Sequence, residues 1–157
     1  MTVSKMAVLS RTFQNTNDIG AKAVQSDSTL VIKGHEDTYL LLKQFPWPVA
    51  TVSDVIEYYG PVGQKMVQPQ QNKTKQEGPF TIYETVENHA GEFLKKLIEQ
   101  GGEFDATVYA GRPDDYKRKE ELKKCILVAD TPDRDWENDT SPLMISGTMH
   151  YHWFANQ

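Results

Sequence analysis

The sequence is short of the residues that most catalytic and secretory designs require. It holds a single cysteine, Cys125, in 157 residues, so no disulfide framework and no paired-cysteine metal or redox motif is available. Set in an apolar run, that cysteine is expected to be a small buried hydrophobe. No apolar run approaches the roughly 18 residues a membrane span needs, and no charged n-region is followed by an apolar stretch, which argues against a span or signal peptide. A reducing cytoplasm, or something assembled there, is the expected setting. Seventeen basic residues face 22 acidic ones, a net charge of −5 that disfavours broad affinity for phosphate backbones. There is no nucleophile elbow and no glycine-rich phosphate cradle, since Gly60, Gly63, Gly101 and Gly102 form no such fingerprint. The length suits one domain with a sizeable core.

What the sequence does have is a legible centre. From Phe80 to Val86 the side chains alternate, with Phe80, Ile82 and Val86 on one face, as a half-buried strand requires. The period then changes. Ala90, Phe93, Leu94, Leu97 and Ile98 form one apolar stripe, which predicts a helix over 88–100, capped by Asn88 and ended by Gly101 and Gly102. Phe104, Ala106, Val108 and Ala110 alternate again as a strand, closed by the turn residues Gly111, Arg112, Pro113 and Asp114. A helix with one apolar stripe must lie on a sheet, and both strands offer it a face.

On the N-terminal side, residues 1–28 are small and polar and are expected to form an extended arm ordered by whatever it touches. Leu30 to Ile32 and Thr38 to Gln44 pattern as a hairpin, broken by Phe45-Pro46-Trp47-Pro48. Val49 to Tyr59 and Gln64 to Gln68 are joined by the turn Gly60-Pro61-Val62-Gly63, with the pair Tyr58-Tyr59 packing as strand residues. Across 66–79, and above all from Pro69 to Gly78, apolar residues run out, so a long protruding loop is expected.

On the C-terminal side, Lys117-Arg118-Lys119 is a solvated turn or strand edge, since no aromatic platform interleaves with it. Cys125 to Ala129 carries the near-continuous apolar character of a strand buried on both faces. In the acidic loop Thr131 to Pro142, Trp136 is expected to pack beneath the loop. Leu143 to Phe154 forms a final strand whose edge nothing blunts, with Gly147 marking a bulge or close approach. The sum is a mainly β chain, a β-sandwich or barrel of about seven or eight strands, with one flanking helix. By this reading residues 29–157 are the core and 1–28 the arm of one domain.

His150 and His152 lie two apart on the last strand and project from one face, a spacing used by metal sites on β-barrels. A third ligand would come from His35, His89 or a carboxylate, and nothing fixes which. A small metal-dependent barrel enzyme using this pair is therefore one alternative, with packing or an interface as the other role for the pair. An interaction role has more behind it, because two polar loops, an arm and an open strand edge suit a subunit that pairs strands with its own copies.

The order of hairpin, loop after Gln68, strand, helix from Asn88 to Gln100, strand and closing Ile145-Ser146-Gly147-Thr148-Met149-His150-Tyr151-His152-Trp153-Phe154 resembles the tail tube proteins of contractile-tailed bacteriophages. Their fold is shared with the type VI secretion tube protein. The resemblance implies a structural virion protein and no enzyme or cofactor. It implies homo-hexameric rings stacked into a conduit for genomic DNA, surrounded by sheath protein, attached to baseplate proteins, and assembled in the host cytoplasm. It also implies contacts between subunits or rings through Met6, Val8, Leu9 and Phe13 of the arm, Gln68, Gln70, Gln71, Lys73 and Lys75 of the loop, and Tyr151 and Trp153 at the end. Glu57, Glu84 and Asp105 are its candidate acidic residues facing the channel. A baseplate or tail-terminator ring protein of the same fold, unable to polymerise, is the other alternative.

Overall fold

A computed structural model describes residues 5–155. Three strands carry most of the alternation seen in the sequence: β5 (Lys75–Tyr83), β6 (Phe104–Arg112) and β8 (Met144–His152). Their inward residues Phe80, Ile82, Phe104, Ala106, Val108, Ile145, Met149 and Tyr151 meet in one apolar core. Each large side chain so buried is worth about 1.5–3 kcal/mol. Helix α2 (His89–Glu99) lies on this core through Ala90, Phe93 and Leu97, the three-and-four spacing expected of it.

The ends of α2 show how local chemistry fixes it. Gly101 and Gly102 take φ of 97° and 78°, and the Gly102 N–H donates to the Leu97 carbonyl at 2.8 Å, closing the last turn. At the start, Asn88 is itself left-handed (φ 68°) and makes no side-chain cap, contrary to expectation. Glu84 takes that role. Its two carboxylate oxygens accept from the N–H groups of Ala90 at 3.0 Å and Gly91 at 2.9 Å, placing negative charge where the helix dipole favours it.

The remaining strands are β1 (Thr29–Ile32), β2 (Leu42–Gln44), β3 (Val55–Tyr59), β4 (Lys65–Pro69) and β7 (Asp115–Ala129). Among the described residues six strands form one antiparallel sheet in the order β1-β6-β7-β8-β5-β2, while β3 and β4 pair with each other in a second, two-stranded sheet. The long β7 joins two halves. From Asp115 to Leu122, and again at Cys125 opposite Phe104, it pairs with β6, and from Lys123 to Ala129 it pairs with β8. Where the two pairings overlap, Lys124 is left-handed (φ 48°), within the register shift between Lys123 and Ile126, a bulge that bends the strand. Among the described residues the architecture is thus mainly β, eight strands with a helix flanking the core, as the sequence implies.

Several expectations are corrected. Within the predicted arm, Met6–Ile19 is helix α1, not extended chain, and none of its residues is buried; Met1 to Ser4 lie outside the described residues. Met6, Leu9 and Phe13 do keep helical spacing, but the polar residues between them obscure the stripe. Leu30 to Gln44 is no hairpin: β1 and β2 sit at opposite edges of the sheet, separated in sequence by a 3-10 turn at Glu36–Leu40. The 66–79 loop is mostly strand, because β4 runs to Pro69, β5 starts at Lys75, and Gln76 is buried. Strand β5 ends at Tyr83, leaving Val86 exposed. Ile126 and Val128 face solvent, so β7 is buried on one face only. The last strand has no open edge, since β8 lies between β7 and β5; β1 and β2 are the outer strands. Gly147 does mark a close approach, with the position of a Cβ falling against the backbone of Val128 and Ala129.

Candidate assembly surfaces

Strands β3 and β4 pair in full register from Val55 opposite Pro69 to Tyr59 opposite Lys65, around the turn foreseen at Gly60 to Gly63. Below Val55 the ladder continues without regular strand. The Gln70 N–H donates to Asp54 O, the Ser53 N–H to Gln71 O, and the Lys73 N–H to Thr51 O. The result is a two-stranded ribbon whose side chains are all exposed. Alternation puts Ile56, Tyr58 and Met66 on one face and Val55, Tyr59 and Val67 on the other, so both faces are apolar and neither is covered. Among the described residues this ribbon and α1, with Phe13 67% exposed, concentrate the uncovered apolar side chains.

The residues singled out in the sequence divide between surface and core. Met6, Val8, Leu9 and Phe13 are exposed on α1. Gln68 lies on the ribbon and Gln70, Gln71 and Lys73 at its base, all exposed. Lys75 is exposed on β5, directly opposite His152. Tyr151 is not on the surface. It is 2% exposed, and its hydroxyl donates to Gln76 Oε1 at 3.1 Å, so its ring belongs to the core and offers nothing to a neighbour. Trp153 is half-buried, its indole N–H donating to Glu120 Oε2 at 3.0 Å.

The three acidic candidates also part company. Glu57 pairs with Lys65 at 3.0 Å on the exposed ribbon. Asp105 is exposed on β6 and accepts from the Lys124 N–H at 3.2 Å, supporting the bulge in β7. Glu84 is engaged as the α2 cap and is not a free carboxylate. Asp105 has a second effect. Burial pushes the Cys125 thiol up to about 12, and the charge of Asp105 adds to that shift.

His150 and His152 share the solvent face of β8, as their spacing requires, yet their neighbours differ. His150 Nδ1 is 3.2 Å from Glu77, its direct cross-strand partner. His152 lies opposite Lys75 on β5 and Lys123 on β7, and its Nδ1 is buried without a partner. Among the described residues no three metal-ligating side chains converge. His35 and His89 are not near this pair. They line an open polar cleft between the 3-10 turn and α2, where His35 bonds Gln100 and His89 bonds Thr85. Trp136, expected beneath its loop, is fully exposed, and neither composition nor periodicity distinguished the two placements.

No protein-family model matches the chain, and no curated protein matches it in sequence. Solved structures do match. The sheath/tube terminator of PVC, an extracellular contractile injection system, in its extended state aligns with a TM-score of 0.55 and 13% identity over 85% of this chain and 94% of that one. The tube-terminating cap of the anti-feeding prophage aligns at 0.53 and 11% identity, over 85% and 89%. A chain of the PVC sheath–tube complex in the extended state aligns at 0.52 and 11% identity, over 95% of each. The fold of this chain is therefore one found among the tail components of contractile injection systems.

Proposed function

We propose that this chain is a structural ring-forming subunit of a contractile tail, one tube-type domain whose homo-hexamers stack into the tube. The observation that carries the proposal is the β3–β4 ribbon. A two-stranded ribbon is marginal in water, and this one exposes apolar side chains on both faces. A neighbouring copy that covers it would remove the liability, and the outer strands β1 and β2 would be completed in the same way. The shared fold with tail components supports that occupant over an unrelated one.

In this account the sheath packs outside the tube, baseplate proteins meet its end, and genomic DNA passes through the lumen without specific binding. The assembled form belongs to the virion tail and is built in the host cytoplasm. The role is mechanical, not enzymatic: Glu84 serves a helix cap and His150 a cross-strand pair. Asp105 remains an exposed candidate for the channel wall, and Glu57 one for the ribbon interface.

A second version has its own support, since two of the matched structures are terminating components. A terminator would form a ring and stop. Light-scattering mass against concentration separates the cases. A tube subunit passes through six times the chain's 17.9 kDa and keeps growing, whereas a terminator plateaus there. A mass fixed at one chain throughout removes both.

A further inference from the structure

We draw no further inference here: the strongest candidate, the uncovered apolar stripe of Met6, Leu9 and Phe13 along helix α1, carries nothing beyond the reading above, because nothing in the structure shows what covers it.

Discussion

The side-chain amide of Gln76 bonds both backbone groups of Val49: its Nε2 donates to the Val49 carbonyl at 2.8 Å, and its Oε1 accepts from the Val49 N–H at 3.2 Å. The same Oε1 accepts from the Tyr151 hydroxyl at 3.1 Å. One buried amide thereby does for Val49 what a neighbouring strand would, tying the segment that leads into the β3–β4 ribbon to the core. Gln76→Leu keeps the volume and leaves the Tyr151 hydroxyl and the Val49 N–H without their partner. The expected loss is about 2–4 kcal/mol in urea unfolding. Tyr151→Phe, which leaves the Val49 bonds intact, should lose only about 1 kcal/mol. Equal losses would mean that the amide's bonds to Val49 contribute nothing.

Gly147 faces the β7 backbone so closely that the Cβ of an alanine would lie 2.7 Å from the Ala129 Cα. Backbone cannot swing aside as a flexible side chain can. Gly147→Ala should therefore destabilise by more than about 3 kcal/mol, or give insoluble protein. A melting temperature equal to that of the unaltered chain would show that β7 and β8 separate more readily than their pairing implies.

The Cys125 thiol gives a pH dependence with a fixed sign. Burial holds it at about 12 against an ordinary 9.0, so above the ordinary value the unfolded chain gives up a proton that the folded chain keeps. That contribution is whole below pH 9 and is lost as pH rises toward about 12, with a slope of at most about 1.4 kcal/mol per pH unit. Burial also raises the Tyr151 phenol, which acts in the same direction. Urea midpoints at pH 7, 9 and 10.5 should fall across the last interval, and Cys125→Ala should flatten part of the fall. In the folded protein the thiol should resist a disulfide reagent at pH 8; rapid labelling would contradict its burial.

How much of this was legible in the residues depends on what each segment packs against. Phe80 to Ile82, Ala90 to Leu97 and Phe104 to Val108 each bury one face against the shared core, so their hydrophobic period is a direct record of the fold. Leu30 to Gln44 carries strand patterning without partner information, and two strands close in sequence went to opposite sheet edges. Helix α1 and the ribbon bury nothing within the chain, so no core imposed a clean period on Met6 to Ile19 or on Lys65 to Pro69. The same holds at the surface. Met6, Phe13 and Gln68 are exposed, as a surface role requires, while Tyr151 and Glu84 were misplaced because a sequence does not show that a hydroxyl will meet Gln76 or a carboxylate a helix N-terminus.

The ribbon supplies a prediction that separates folding from assembly. Ile56 and Tyr58 are exposed and touch no core residue cluster, so Ile56→Asp with Tyr58→Ser should change the unfolding free energy of the monomer by less than about 0.5 kcal/mol. Assembly should respond differently, with half-assembly displaced upward by about tenfold or more. A variant that unfolds early would make the ribbon part of the core; one that assembles unchanged would remove it from the interface.

Electron microscopy of the purified chain at rising concentration decides the main point. The account predicts end-on particles with six-fold symmetry and an open channel, and side views showing stacks if the chain builds a tube or single discs if it terminates one. A uniform field of single-chain particles at every concentration, with no ring in any view, would contradict it.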